Sequence, residues 1–253
     1  MKTVRHIKKL KKGFEVTFDE DVCFIQPEIY IKYHLKPGLE IKLETYEHLI
    51  NENDYLTYYQ LGLQKLKTMQ TIQEMRDFLA LKGAKPHIIK QIIHQMMDKN
   101  YLNDLVYTKT YIALKKHQQG PQMIAYKLKE KGISQLILDQ EISEINEQAI
   151  LFDIVPKKLK SKKNKPYLAA AQSVKQYFMQ KGFSQNFIDR AIYEARFLFD
   201  EDETALIEKE FEKLHRQYQA KLSGYPLTEK ITQKLYQKGF RLEDIKTIVS
   251  RIK

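Results

Sequence analysis

The stretch Gln180-Lys181-Gly182-Phe183, "QKGF", returns unchanged as Gln237-Lys238-Gly239-Phe240. Two variants stand earlier, "LKGA" at Leu81 to Ala84 and "EKGI" at Glu130 to Ile133. In a chain with nine glycines, four Lys-Gly pairs admit three readings: a phosphate loop, a set of turns or an internal repeat. Alignment decides between them. Gly83, Gly132, Gly182 and Gly239 are 49, 50 and 57 residues apart. Eight and four residues before each glycine stand Met75 and Leu79, Ile124 and Leu128, Val174 and Phe178, Ile231 and Leu235. Six and ten residues after it stand Ile89 and Ile93, Leu138 and Ile142, Ile188 and Ile192, Ile245 and Val249. All sixteen positions are apolar, and each i, i+4 pair lies on one helix face. In a chain that is 43% apolar, chance rarely gives this. The pairs mark a repeat.

The glycine supplies the join between two helices. A helix that ends on a positive φ prefers Gly there, because any other residue crowds its own Cβ. The lysine before it sits at the negative end of the helix dipole. The next helix starts at once, with Ser134 and Ser184 as N-caps and Pro86 suited to a first turn. The helix before each join has start signals too: Thr71 with Glu74 forms a capping box, Gly120-Pro121 opens the second copy, and Pro226 stands near the start of the fourth. Gly83, Gly120, Gly132, Gly182 and Gly239 are therefore structural turn residues.

A longer helix precedes the pair in each copy. In the fourth copy Ile207, Phe211, Leu214, Tyr218 and Leu222 make its stripe, and in the first the stretch from Tyr55 to Thr68 fills that place. Three helices are the least that closes a small core, and such units stack. The spacing predicts copies over 55–104, 105–153, 154–203 and 204–253. The third is irregular, because "PKKLKSKKNKP" from Pro156 to Pro166 reads as a basic linker. Residues 1–54 differ in kind. "TVRHIKKL", "FEVTF" and "VCFI" are short β-rich runs between turn signals. They are followed by a short helix from about Glu28 to Pro37-Gly38. This reads as a hairpin or meander plus a helix, an accessory cap that needs something to pack against. The fold class expected is all-α, tandem three-helix repeats with a small β-rich N-terminal segment.

Composition excludes several classes. Cys23 is the single cysteine, so no internal disulfide framework exists and a reducing cytoplasm is the expected compartment. No apolar run approaches the roughly 20 residues that span a bilayer, and the basic start lacks a signal peptide's apolar stretch. No membrane partner is expected. Of the net charge of +11, residues 1–54 hold 9 Lys/Arg against 10 Asp/Glu, which leaves 34 against 22 (+12) on the rest. A basic excess there suits an acidic partner, nucleic acid or protein, and equally suits a merely basic soluble protein.

Catalytic signatures are absent. No Lys-Gly pair stands in the Gly-x4-Gly-Lys-Ser/Thr frame that cradles phosphate. His87 and His94 can share a helix face, but nothing completes a metal set, and a nucleophilic triad has no starting point. The acidic run Asp200 to Glu203 reads as a solvated corner at a helix start. The third-helix segments are mixed in charge, and two are partly acidic, which argues against a major-groove reading helix. No enzyme activity, cofactor or metal is expected.

The run "YLNDLVYTKTYIALKKHQQGPQMIAYKLKEKGIS", Tyr101 to Ser134, resembles the central signature of the RecX regulatory family. Tyr101, Leu102, Asp104, Tyr107, Tyr111, Gly120, Pro121, Leu128, Lys131, Gly132 and Ile133 carry the match. Asn103, Thr108 and Pro156 depart from the pattern, and Pro156 falls where the first helix of the third copy should run. The resemblance implies an elongated, curved, all-α molecule that acts as a monomer. It further implies a non-enzymatic modulator of the RecA filament on single-stranded DNA, with roles in DNA repair, recombination and the SOS response. On that footing the contact residues expected are Lys115, Lys116, Gln122, Lys127, Lys129, Lys131, Lys157, Lys158, Lys160, Lys162 and Lys163. Without it, lysine runs read as solvated faces and linkers. A helical-repeat nucleic-acid binder that acts without RecA is the competing reading, and a structural adaptor the third.

Overall fold

The computed structural model describes residues 1–252 except Lys163, and at 198–202 the backbone alone. The chain divides into two compact units. One comprises Met1–Thr108 with Glu130–Ile137, and the other Lys109–Lys129 with Leu138–Lys253.

The β-rich start forms a four-stranded antiparallel sheet from β1 (Lys2–Leu10), β2 (Gly13–Phe18), β3 (Asp21–Ile25) and β4 (Glu40–Ile41), in the order β3-β2-β1-β4. Helix α1 (Pro27–Lys32) follows β3, and α2 (Leu43–Lys65) follows β4. Val4, Val16, Phe18 and Ile25 from the sheet share a core with Ile29 of α1 and Leu49 of α2. Asn53 of α2, which is buried, bolts the parts together. Its Oδ1 accepts from the Gln26 amide at 2.8 Å, and its Nδ2 donates to the Phe24 carbonyl at 2.8 Å. Two expectations change here. The short helix stops at Lys32, because His34 turns into the left-handed region (φ 48°) and ends the run well before Pro37. Helix α2 passes without a break through the expected boundary at 54/55. One face of its first half is the sheet's packing partner, and its second half is the first helix of the first copy, so no breaker separates the two jobs.

The rest is helical. The first copy pairs α2 with α3 (Ile72–Leu81) and α4 (Pro86–Asp98), and the second has α5 (Asp104–Lys115), α6 (Pro121–Glu130) and α7 (Gln135–Ser143). The third has α8 (Glu147–Lys160), α9 (Tyr167–Gln180) and α10 (Gln185–Glu194). After a 3-10 turn come α11 (Asp200–Tyr218), α12 (Gly224–Lys238) and α13 (Leu242–Val249). Among the described residues no helix is long and apolar enough to cross a membrane. Fifteen of the sixteen repeat positions are buried; Ile142 alone is half-buried.

The turns are as the spacing predicts. Gly83, Gly132, Gly182 and Gly239 have φ of 90°, 81°, 83° and 95°. The amides of Ala84, Phe183 and Phe240 reach back five residues to the carbonyls of Leu79, Phe178 and Leu235, closing each turn as a Schellman motif does. Phe183 and Phe240 are buried in the cores of their own copies. Thr71 and Glu74 form the full capping box, and Pro86 opens α4. Ser184 precedes α10 without capping it, because its hydroxyl donates instead to Glu147 at 2.8 Å.

The same glycines hold successive copies together, a role the spacing does not disclose. A Cβ at Gly132 would stand 2.4 Å from Gln73 Cβ, one at Gly182 2.6 Å from the Met123 amide, and one at Gly239 3.0 Å from Ala169. Each turn therefore lies against the second helix of the preceding copy. Gly83, in the first copy, meets only the Tyr58 hydroxyl, at 3.5 Å. Gly120 is needed for the approach alone: its amide donates to the Lys181 carbonyl at 2.8 Å, and a Cβ there would lie 2.2 Å from the Gly182 oxygen.

Helices α8 and α11 run through 153/154 and 203/204, so helix ends fall elsewhere than those expected divisions. Pro156 lies inside α8 rather than breaking it, and the linker begins at Ser161. Losing an N–H and crowding a carbonyl costs about 3 kcal/mol in a helix interior. Val155 and Leu159 flank the proline fully buried, and burying two such side chains is worth about 3–6 kcal/mol. Packing carries the helix across.

Candidate partner-binding surface

The expected contact lysines meet different fates. Lys131 is committed inside its own unit. Its ammonium pairs with Glu74 and lies 5.7 Å over the Tyr107 ring, while its carbonyl accepts from the Thr71 hydroxyl at 2.7 Å. The Glu74 hydrogen bond, the first cause, raises the Lys131 pKa above the ordinary lysine value. Much of the signature run is clasp rather than contact. Asp104 Oδ1 accepts from the Ile72 amide at 2.9 Å at the start of α3, and Thr108, fully buried, donates to the Asp104 carbonyl at 2.7 Å. Burial is the main cause of a raised Asp104 pKa, and the Ile72 amide opposes it. Asn103 Oδ1 accepts from the Val106 amide at 3.1 Å, so this departure from the family pattern keeps a capping role.

Glu203 is a second corrected expectation. It is not solvated but 5% exposed, and its Oε1 accepts from the Tyr167 amide at 3.1 Å, as Asp104 does for Ile72. An acid near the start of a copy's first helix thus caps the second helix of the copy before it. Glu147 stands at the corresponding place at the start of the third copy, but the second helix of the second copy opens on Pro121, which has no N–H to offer. Glu147 accepts from the Ser184 amide and hydroxyl instead. The side chains of Asp200, Glu201 and Asp202 lie outside the described residues.

In the other unit the expected lysines range from half-buried to exposed. Lys115 ends α5 half-buried, and Lys116 is half-buried beside it. Gln122 and Lys129 are exposed on α6, where Lys127 is half-buried. Lys157 is exposed and paired with Asp153 one turn back at 2.6 Å, an i, i+4 pair of small energetic worth. Lys160 is exposed at the end of α8, the half-buried Lys162 closes that end through its amide on the Leu159 carbonyl, and Lys163 lies outside the described residues.

Lys158 has the most informative neighbour. Its Nζ stands 4.1 Å from the centre of the Tyr177 ring, and Lys181 Nζ lies 5.7 Å from the same ring. Tyr177 and Lys181 escape a search for basic runs, because Tyr177 reads as a neighbour of the core position Phe178. The repeat frame identifies them. Five residues and one residue before each turn glycine stand Phe78 and Lys82, Lys127 and Lys131, Tyr177 and Lys181, Lys234 and Lys238. In the first copy Lys65 and Lys82 lie 5.5 and 5.8 Å over Phe78, so the arrangement recurs. Each second helix thus carries lysine or an aromatic ring at one place and lysine four residues on. Aromatic platforms flanked by cations are what stacks bases and contacts phosphate on single strands.

The comparisons fit this architecture. A profile described as RecX, third three-helix domain, matches residues 200–249, the fourth copy in the present count. "Regulatory protein RecX" of Streptococcus agalactiae serotype V is 30% identical over 96% of this chain and 97% of its own length. The protein of the same name from Streptococcus sanguinis is 29% identical over 96% of each. Among solved structures, a regulatory protein RecX aligns with a TM-score of 0.54 at 19% identity, over 75% of this chain and 98% of its own. RecX from Lactobacillus salivarius gives 0.52 at 24% identity, over 58% and 99%. These two likenesses show the shared helical-repeat fold.

Proposed function

Because the chain belongs to the RecX family of regulatory proteins, we propose that it is a non-enzymatic regulator that binds RecA filaments on single-stranded DNA and changes their assembly, ATPase and strand exchange. The supporting observation is the Lys158–Tyr177–Lys181 group, outward-facing cations about an aromatic ring on the second helix of a basic copy. Lys115, Lys116, Lys127, Lys129, Lys157, Lys160 and Lys162 extend the basic character of that unit, and Gln122 adds a neutral hydrogen-bonding side chain. Lys131 is left out of the contact set, because Glu74 already neutralises it.

RecA ATPase on single-stranded DNA, measured with rising amounts of the chain, tests this reading. A change in ATPase together with filament length is expected; no change in either at stoichiometric amounts removes it. The balance of +12 outside residues 1–54 favours one second reading, a nucleic-acid binder that works without RecA. Salt-titrated binding to DNA and RNA alone separates the two, since phosphate-driven affinity falls steeply with salt. Tight, sequence-selective binding without RecA supports the second reading.

A further inference from the structure

One repeat position is occupied against its type. Nine residues after the turn glycine stand Ile92, Ala191 and Ile248 in the first, third and fourth copies, at 0, 1 and 3% exposure. The second copy has Glu141, still only 8% exposed. A buried carboxylate is costly unless paired and hydrogen-bonded. Among the described residues no protein donor reaches Glu141. Its one ion-pair partner, Lys109 Nζ, stands at 3.7 Å, beyond hydrogen-bond distance, and the Lys109 side chain is 59% exposed. On the same helix Ile142 is only half-buried.

Glu141 lines a cleft of about 440 Å³ walled by Ile112 and Ala113 of α5 and by Ile145, Ala149 and Ile150. Lys109, Lys116, Glu144 and Asn146 complete its lining. The shape and chemistry are those of a slot: an apolar wall beside a carboxylate that, among the described residues, no protein donor holds at hydrogen-bond distance.

We propose that this cleft receives an arginine side chain presented by a partner protein, with the guanidinium on Glu141 and its methylenes against the isoleucines. A guanidinium supplies two parallel N–H donors in the spacing of a carboxylate, which the lone ammonium of Lys109 does not. The apolar walls match the stem that an arginine buries while its head is paired. Lys109, whose side chain is 59% exposed, gives way to it. This inference does not rest on the partner being RecA.

The test titrates Nα-acetyl-arginine amide into the full-length 15N-labelled chain and follows amide shifts. Saturable shifts at Glu141, Ile145 and Ala149 are expected, with a Kd on the order of 10 mM for so small a ligand. The lysine analogue binds more weakly, and Glu141→Gln, which keeps the shape, weakens the arginine probe by about tenfold or more. Glu141→Ile restores the residue type of the other copies, so it raises the thermal midpoint while abolishing the shifts. Absence of saturable shifts, equal affinity in Glu141→Gln, or a lowered midpoint in Glu141→Ile overturns the proposal. The last result makes Glu141 a structural mate of Lys109.

Discussion

Lys131 and Lys181 occupy the same place in successive copies, one residue before the turn glycine, and do different work. Both carbonyls accept a hydrogen bond from the preceding copy, from the Thr71 hydroxyl and the Gly120 amide. The side chains part company. Nine residues before the earlier glycine stands Glu74 in one case and Met123 in the other. Where the acid is present the lysine is drawn into a clasp; where methionine stands, Lys181 lies over Tyr177 at the surface. The repeat fixes the backbone path, and one residue of the neighbouring copy decides whether a lysine serves the fold or remains available to a partner.

The largest effect expected is on the shared backbone feature. Gly182→Val combines a positive φ with a Cβ 2.6 Å from the Met123 amide, and should cost about 3 kcal/mol or more by chemical denaturation. Gly83→Ala has a similar positive φ without the close approach, and should cost about 1 kcal/mol. Equal losses in the two would show that the contact between copies adds nothing to the turn.

The side-chain contrast comes next. Lys131→Met should destabilise by about 1 kcal/mol, since it removes the cation from Glu74 and leaves that carboxylate only its capping bond to the Thr71 amide. Lys181→Met, by contrast, should stay within about 0.5 kcal/mol of the parent. The smallest effect is one of pH. The folded-state pKa of Lys131 lies above the ordinary value, so its contribution is fully present below that value and is lost as pH rises through the folded one. Denaturation midpoints across the alkaline range should therefore fall less steeply in Lys131→Met than in the parent.

Much of the fold was legible in sequence, because helix faces and positive-φ turns leave local signatures: sixteen apolar positions and four glycines. What was hidden depends on tertiary partners. Helix α2 crosses its expected boundary since Asn53 and Leu49 serve the sheet, and α8 crosses Pro156 because Val155 and Leu159 are buried. At the candidate surface the basic residues were readable and their sorting was not. The pairing of Lys131 depends on a residue 57 positions away, and Tyr177 shows its role only once Lys158 and Lys181 are seen on either side of it.

The most direct measurement compares RecA ATPase on single-stranded DNA in the presence of the parent chain, of Lys131→Met, and of the triple variant Lys158→Ala, Tyr177→Ala, Lys181→Ala, each first confirmed to be folded. The account predicts that the parent and Lys131→Met change the ATPase alike at a given concentration, while the triple variant requires about tenfold more protein. An unaltered response to the triple variant, or a loss confined to Lys131→Met, would contradict it.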